Sequence, residues 1–305
     1  MADPSHAHDP FDPHHLFGHV QDAPHFEVPH MVSEGGKVKL WQLSDSFEPF
    51  VDIQLMKADP NWHLAPFDLS LTKFMVLEVI AAVFLIAFFI PLARKMSDGS
   101  PVKGKWANML EAMLVFLRDE VARPAIGKKD ADRFLPFLWT MFFFVLGCNL
   151  LGLAPWAGSA TGALATTFTL AMITFGVVLF TGMSRQGIFG FWKSLVPHME
   201  LPFVLAIFLI PMIFLLEIMG LLIKHIVLAV RLLANMVAGH LVLAVLLAFI
   251  LASFSHSNVA GFSVAPAALL GATALTLLEL FVAFLQAYIF TFLSALFIGT
   301  AIHPH

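Results

Sequence analysis

Four residues carry all the formal charge of the last 105 positions: Glu217, Lys224, Arg231 and Glu279. Each stands in an apolar run that reads as lipid-embedded. An ionised side chain there costs about 2.5 to 3.5 kcal/mol even on a lenient insertion scale, so each is a candidate for function, with snorkelling the plainer explanation for Lys224. Arg231 keeps its proton at any biological pH, whereas His240 and Glu279 are of types that take and give one. A permanent cation in a dry bundle acts as an electrostatic gate. At about 4 Å and an effective dielectric near 20 it attracts a carboxylate on a partner by about 4 kcal/mol, which drives that carboxylate to release its proton. These residues have the chemistry of a proton relay interrupted by a fixed charge.

Spacing sorts them into faces. Glu217, Lys224 and Arg231 are seven apart, so on a helix they drift by only about 20° per step and share one stripe. Asn235, four after Arg231, stays near that face, while His240, nine after it, points the opposite way. Glu279 and Gln286 are again seven apart and share a face.

The elements that position them must be membrane helices. Of 305 residues 59% are hydrophobic, 12% are charged and 32 are Phe, with a mean hydropathy of +0.83. That apolar surface cannot be hidden in an aqueous core of this length, so lipid is the solvent for most of the chain. A net charge of -4 offers no footprint for nucleic acid, and the single cysteine, Cys148, permits neither a disulfide framework nor a cysteine metal cluster within one chain.

Residues 1–69 read as a polar tail with eleven Asp/Glu, three Lys and eight His. The histidines (His6, His8, His14, His15, His19, His25, His30 and His63) lack a regular ligand spacing, so a solvated, weakly ordered segment is expected. The start lacks a signal peptide's basic and apolar regions, which keeps the tail in the mature protein, and it is not a transit peptide either, which favours a bacterial inner membrane. A first span covers about 71–94. Nine of the seventeen Lys/Arg lie between 94 and 133, which marks that stretch as cytoplasmic and the tail as outside. Within it, 106–121 is amphipathic and is predicted to lie on the inner surface, ending at Arg123-Pro124. Two spans follow, 134–155 and 166–184, joined by an uncharged outer link. The last runs, 203–253 and 264–302, flank a loop free of Lys and Arg. Residues 203–253 as one helix would measure about 76 Å against a hydrocarbon core of about 30 Å. The run is therefore either two spans or one steeply tilted helix. Within the run Gly220 alone stands near a possible break, no Pro follows Pro211 and no turn-forming cluster lies beside Lys224-His225, which favours one helix. The expected fold is an all-α polytopic membrane protein of five passes, the last two long and tilted, plus one amphipathic surface helix, with its C-terminus in the cytoplasm.

RLLANMVAGHL, residues 231–241, closely resembles the signature of subunit a of F-type ATP synthases. NLLGLAP (149–155) is similar to the family's third-helix motif, LLEIMGLLIKHIVLAVRL to the approach to the Arg, and LELFVAFLQAYIFTFLSALFIG to the last helix. The likeness runs from about 70 to 302 and leaves the tail outside. It implies a stator subunit that meets a rotating ring of c subunits. Arg231 matches the arginine that faces the ring carboxylate and separates two proton half-channels. Asn235, His240, Glu279 and Gln286 match polar positions of the outer half-channel, and the residue types at 240 and 279 also occur exchanged in the family, as suits a proton-sharing contact. Glu217 matches the carboxylate of the cytoplasmic half-channel, and Asn149 a polar position of the pattern. Gly152 departs from it, because some members carry Asp there. The implied partners are the c-subunit ring, b-type peripheral stalk subunits and the rest of the synthase, with H⁺ as the ion carried. No cofactor or metal is implied. The sequence holds no GxxxxGK[ST] phosphate loop, so the chain itself is expected to hydrolyse nothing.

Two readings from other classes compete. A redox subunit with His-ligated haem or metal would use His198, His225, His240 or His256. Yet only His225 and His240 lie inside an apolar run, fifteen apart and without a matched pair on the neighbouring helix. A secondary transporter would call for internal repeats, and none is evident.

Overall fold

A computed structural model describes residues 25–27, 37–39, 73–97, 104–153, 160–194, 203–256 and 258–303, and among the described residues five helices are long and apolar enough to cross a membrane. The tail contributes β1 (His25–Glu27) and β2 (Lys37–Lys39), an antiparallel pair with Phe26 opposite Val38. This short ladder lies in the segment that composition reads as solvated and weakly ordered. His6, His8, His14, His15, His19, His30, His63 and His198 lie outside the described residues.

The first span is α1 (Lys73–Ser97). After Gly104 the surface segment winds as α2 (Lys105–Phe116), widens into one π-helical stretch at Leu117–Ala122 and continues as α3 (Arg123–Ile126). The stop expected at Arg123-Pro124 is not there. Pro124 falls in the first turn of α3, directly after the π-helical stretch, and the chain stops instead at Gly127, whose φ of 98° favours glycine. Asp119 holds this segment together, accepting Arg118 Nε at 3.0 Å and Arg123 Nη1 at 2.7 Å. The hydrogen bond from Arg118, then the two positive charges, outweigh partial desolvation and hold the Asp119 carboxyl below the usual carboxylate range.

Next come α4 (Ala131–Gly152), a 3₁₀ turn (Ala160–Gly162), α5 (Leu164–Gln186) and α6 (Ile188–Ser194). Gly182 leaves no room for a Cβ because the ring of Phe191 fills that space, folding α6 back on α5. The two long runs are each a single helix: α7 (Phe203–His256, 54 residues) and α8 (Asn258–Ile302, 45 residues). At 1.5 Å per residue they measure about 81 Å and about 68 Å, so both must lie far from the membrane normal to stay within a core of about 30 Å. Gly220 breaks nothing, and Pro211 and Pro266 lie inside the helices. The loop expected between the runs shrinks to a tight corner, closed by Phe254 and Phe262, whose rings meet edge to face at 5.5 Å.

One core joins the surface segment to the spans: Leu117, Val121 and Ile126 pack with Leu138 and Val145 of α4 and with Phe290 and Ile298 of α8. Trp139 Nε1 donates to the Leu114 carbonyl at 3.1 Å. Gly299 is the tightest point, since a Cβ there would overlap the Ala125 carbonyl oxygen of α3.

Candidate functional site

The site is built on the antiparallel contact of α7 and α8. His225 meets Phe297 with ring centroids 4.9 Å apart. Asn235 Nδ2 donates to Gln286 Oε1 at 2.8 Å. The Glu279 side chain lies against Gly239, and further out Leu246 reaches Gly271. As the number on α7 rises, its partner's on α8 falls nearly one for one, so the helices remain in register from their inner thirds to the corner. Glu279 and Gln286 both meet α7, as their seven-residue spacing predicts.

Arg231 stands near the midpoint of α7, the most apolar helix of the fold, yet it is exposed. Among the described residues it makes no hydrogen bond and no ion pair. Glu217 and Lys224 are exposed too, as expected of one stripe. Ile223, Val227 and Val230 are exposed around them, and α8 exposes Leu277, Phe281, Phe284 and Leu285. A guanidinium at that depth cannot be satisfied by acyl chains, so this face needs a polar partner.

Asn235 lies near the Arg231 stripe, but its amide is turned toward α8, where Gln286 is 2% exposed. The Nε2 of Gln286 is buried without a hydrogen-bond partner. His240 and Glu279 are each half-buried. The carboxylate of Glu279 occupies the space a side chain at 239 would need, which seats it on the α7 backbone one residue before His240. A glycine at 239 is what lets the carboxylate come this close.

Asn149, fully buried near the end of α4, ties that helix to α8: its Nδ2 donates to the Ala283 carbonyl at 3.2 Å, and Thr161 donates to its Oδ1 at 2.7 Å. Ala283 lies one turn after Glu279 and three residues before Gln286. Four of the residues singled out in the sequence, Asn149, Asn235, Glu279 and Gln286, thus converge on one stretch of α8, while Glu217, Lys224 and Arg231 line the exposed face of α7.

Sequence reasoning passed over three features. Thr161 sits in a turn whose polarity looks like that of any loop. Glu78, half-buried on α1, accepts a hydrogen bond from Thr166 of α5 at 2.6 Å; a lone acid inside an apolar span was the available signal. His225 is 2% exposed, enclosed by Phe175 and Phe297, with Nδ1 2.9 Å from the Leu221 carbonyl and no hydrogen-bond partner for Nε2. That aromatic enclosure has no counterpart in the spacing argument, which treated His225 only as a haem-ligand candidate.

A family model described as ATP synthase A chain matches residues 75–299. The chain is 42% identical over 241 residues to "ATP synthase subunit a" of Myxococcus xanthus, covering 78% of this chain and 76% of that one. It is 41% identical over 261 residues to "ATP synthase subunit a 2" of Chlorobaculum tepidum, covering 84% and 69%, and 40% identical over 293 residues to "ATP synthase subunit a" of Chlorobium phaeobacteroides, covering 93% and 80%. The match starts where the polar tail gives way to α1 and ends in the last turn of α8, so it spans every helix that builds the site, and the chain belongs to the ATP synthase A chain family.

Proposed function

We propose that the chain is the non-catalytic, proton-conducting stator subunit of a bacterial inner-membrane ATP synthase, and that Arg231 is its gate. The observation that carries this reading is an exposed guanidinium at the middle of a 54-residue apolar helix, unpaired among the described residues. Such a group requires an acid from outside the chain, and a carboxylate on a rotating ring of c subunits supplies it. Next to Arg231 that carboxylate is held ionised. Away from it, in lipid, it is stable only when protonated.

Protons arrive from the side of the tail, pass along Asn149, His240, Glu279, Asn235 and Gln286, and load the ring acid. After most of a rotation the acid releases its proton past Glu217 toward the cytoplasm. A proton crossing 100 mV supplies roughly 2.3 kcal/mol, so several must pass for each nucleotide phosphorylated elsewhere in the complex. Arg231 blocks the direct route between the two paths, which is what couples flow to rotation. The α2–α3 surface segment and the cytoplasmic ends of the spans are where b-type stalk subunits would hold the chain still. The orientation, tail outside and C-terminus inside, is supported by the Lys/Arg bias of residues 94–133.

Cysteines at Val227 and Val230, both exposed beside Arg231, test the reading in native membranes. Oxidative cross-linking of either to a cysteine placed near the carboxylate of a small hairpin protein is the expected result. Failure of both to cross-link, with the complex assembled, would contradict it.

A further inference from the structure

Glu78 is the one acid in α1, five residues past Lys73 in a helix otherwise apolar until Arg94. Its neighbours fix where its carboxylate lies. Phe74, Leu77 and Ala81 of α1 pack with Cys148 of α4 and Ala160 of the 3₁₀ turn, and Thr166, in the first turn of α5, donates to Glu78 Oε1 at 2.6 Å. The acid therefore sits where the start of α1, the end of α4, the 3₁₀ turn and the start of α5 meet. The formal charges of α4 and α5 (Asp132, Arg133 and Arg185) lie at the opposite ends of those helices, and the 3₁₀ turn carries none. From this corner a second set of hydrogen bonds leads inward, Thr161 to Asn149 at 2.7 Å and Asn149 to the Ala283 carbonyl at 3.2 Å, and ends on α8 one turn from Glu279.

We propose that Glu78 is a proton acceptor on the tail side of the membrane and feeds Glu279 along the polar residues Thr166, Thr161 and Asn149. An O–H bond forms on its carboxylate when a hydronium ion from the tail side gives up a proton. It breaks when that proton passes through water to the Glu279 carboxylate, and nothing is oxidised or reduced. A purely structural Glu78 would need only an acceptor for the Thr166 hydroxyl, and a glutamine of the same length provides one. Titration separates the two roles. The inference rests on the proton-conducting function proposed above.

The test uses the whole ATP synthase in oriented vesicles, with synthesis driven by an imposed proton gradient and the tail-side pH varied. Glu78→Gln should assemble normally and synthesise ATP about tenfold more slowly when the tail side is neutral or alkaline, less than a rate-limiting acid or base contributes because water bypasses it. The gap should narrow as the tail side is acidified, and Glu78→Asp should recover most of the rate with the wild-type pH profile. A wild-type rate for Glu78→Gln at every pH, or a loss of the same size at every pH, would overturn the proposal. If Glu78→Gln fails to assemble, Glu78→Asp decides alone, since a near wild-type rate with the wild-type pH profile supports proton uptake at 78 and a rate lowered by the same large factor at every pH contradicts it. Arg231→Lys and Glu279→Gln run alongside. If they abolish synthesis while Glu78→Gln does not slow it, Glu78 alone is misassigned; if they too leave synthesis intact, the underlying function is wrong.

Discussion

Glu279 rests on Gly239: its carboxylate fills the space a β-carbon at 239 would occupy, so an acid on one long helix is seated by a missing side chain on the other. The seat holds the carboxylate against the α7 backbone one residue before His240, and among the described residues no hydrogen bond to it is formed.

Gly239→Ala should therefore damage function more than its size suggests. The methyl group must push Glu279 aside, and misplacing a proton-transfer group by about 1 Å costs on the order of a hundredfold in rate. Proton-driven ATP synthesis in vesicles measures it. Gly220→Ala, where a Cβ meets nothing within 4 Å, is the matched control and should be close to wild type.

The Asn235–Gln286 hydrogen bond should show as coupling between the two sites. Removing the Asn235 amide leaves the buried Gln286 without its partner, at about 1 to 3 kcal/mol, while removing both costs less than the sum. Asn235→Leu, Gln286→Leu and the double variant, compared by thermal stability of the purified complex, give the coupling energy. Strict additivity would show that the bond is not formed in the assembled protein.

Gly299→Ala should weaken the chain far from the proton path. The new methyl would overlap the Ala125 carbonyl, which is backbone and cannot rotate away, so α3 must lift from α8; overpacking of this kind costs about 1 to 3 kcal/mol. Lower yield of assembled complex, with normal coupling in what does assemble, is the expected phenotype.

Asp119 gives a pH signature. Because its folded-state carboxyl is held low, chiefly by the hydrogen bond from Arg118, its stabilising effect is fully present above the ordinary carboxylate range and is lost as pH falls through the lowered folded value. The difference in melting temperature between wild type and Asp119→Asn should stay constant from about pH 8 to about pH 5 and close on further acidification. A gap that widened in acid would have the wrong sign.

Much of this was legible in the residues. The seven-residue spacings put Glu217, Lys224 and Arg231 on one exposed face and turned Glu279 and Gln286 together toward α7, because a helix of period 3.6 leaves little freedom in where such residues point. The unbroken length of α7 followed from the lack of any turn-forming cluster near Gly220. What stayed hidden depends on contacts between distant segments. Nothing local announces that Gly239 is a seat for Glu279, that Asn149 reaches a carbonyl 134 positions away, or that Thr166 finds Glu78. The helix through Pro124 was missed for a different reason: proline was read as a stop, yet the helical path runs through it from the π-helical stretch into α3.

The claim on which the rest depends is that Arg231 gates proton flow through its own geometry and permanent charge. Arg231→Lys keeps the charge but replaces a rigid, always-protonated fork with an ammonium that sheds its proton readily in a dry site. In inverted vesicles carrying the fully assembled synthase, ATP-driven proton pumping should disappear in this variant. Pumping at the wild-type rate would contradict the gate outright.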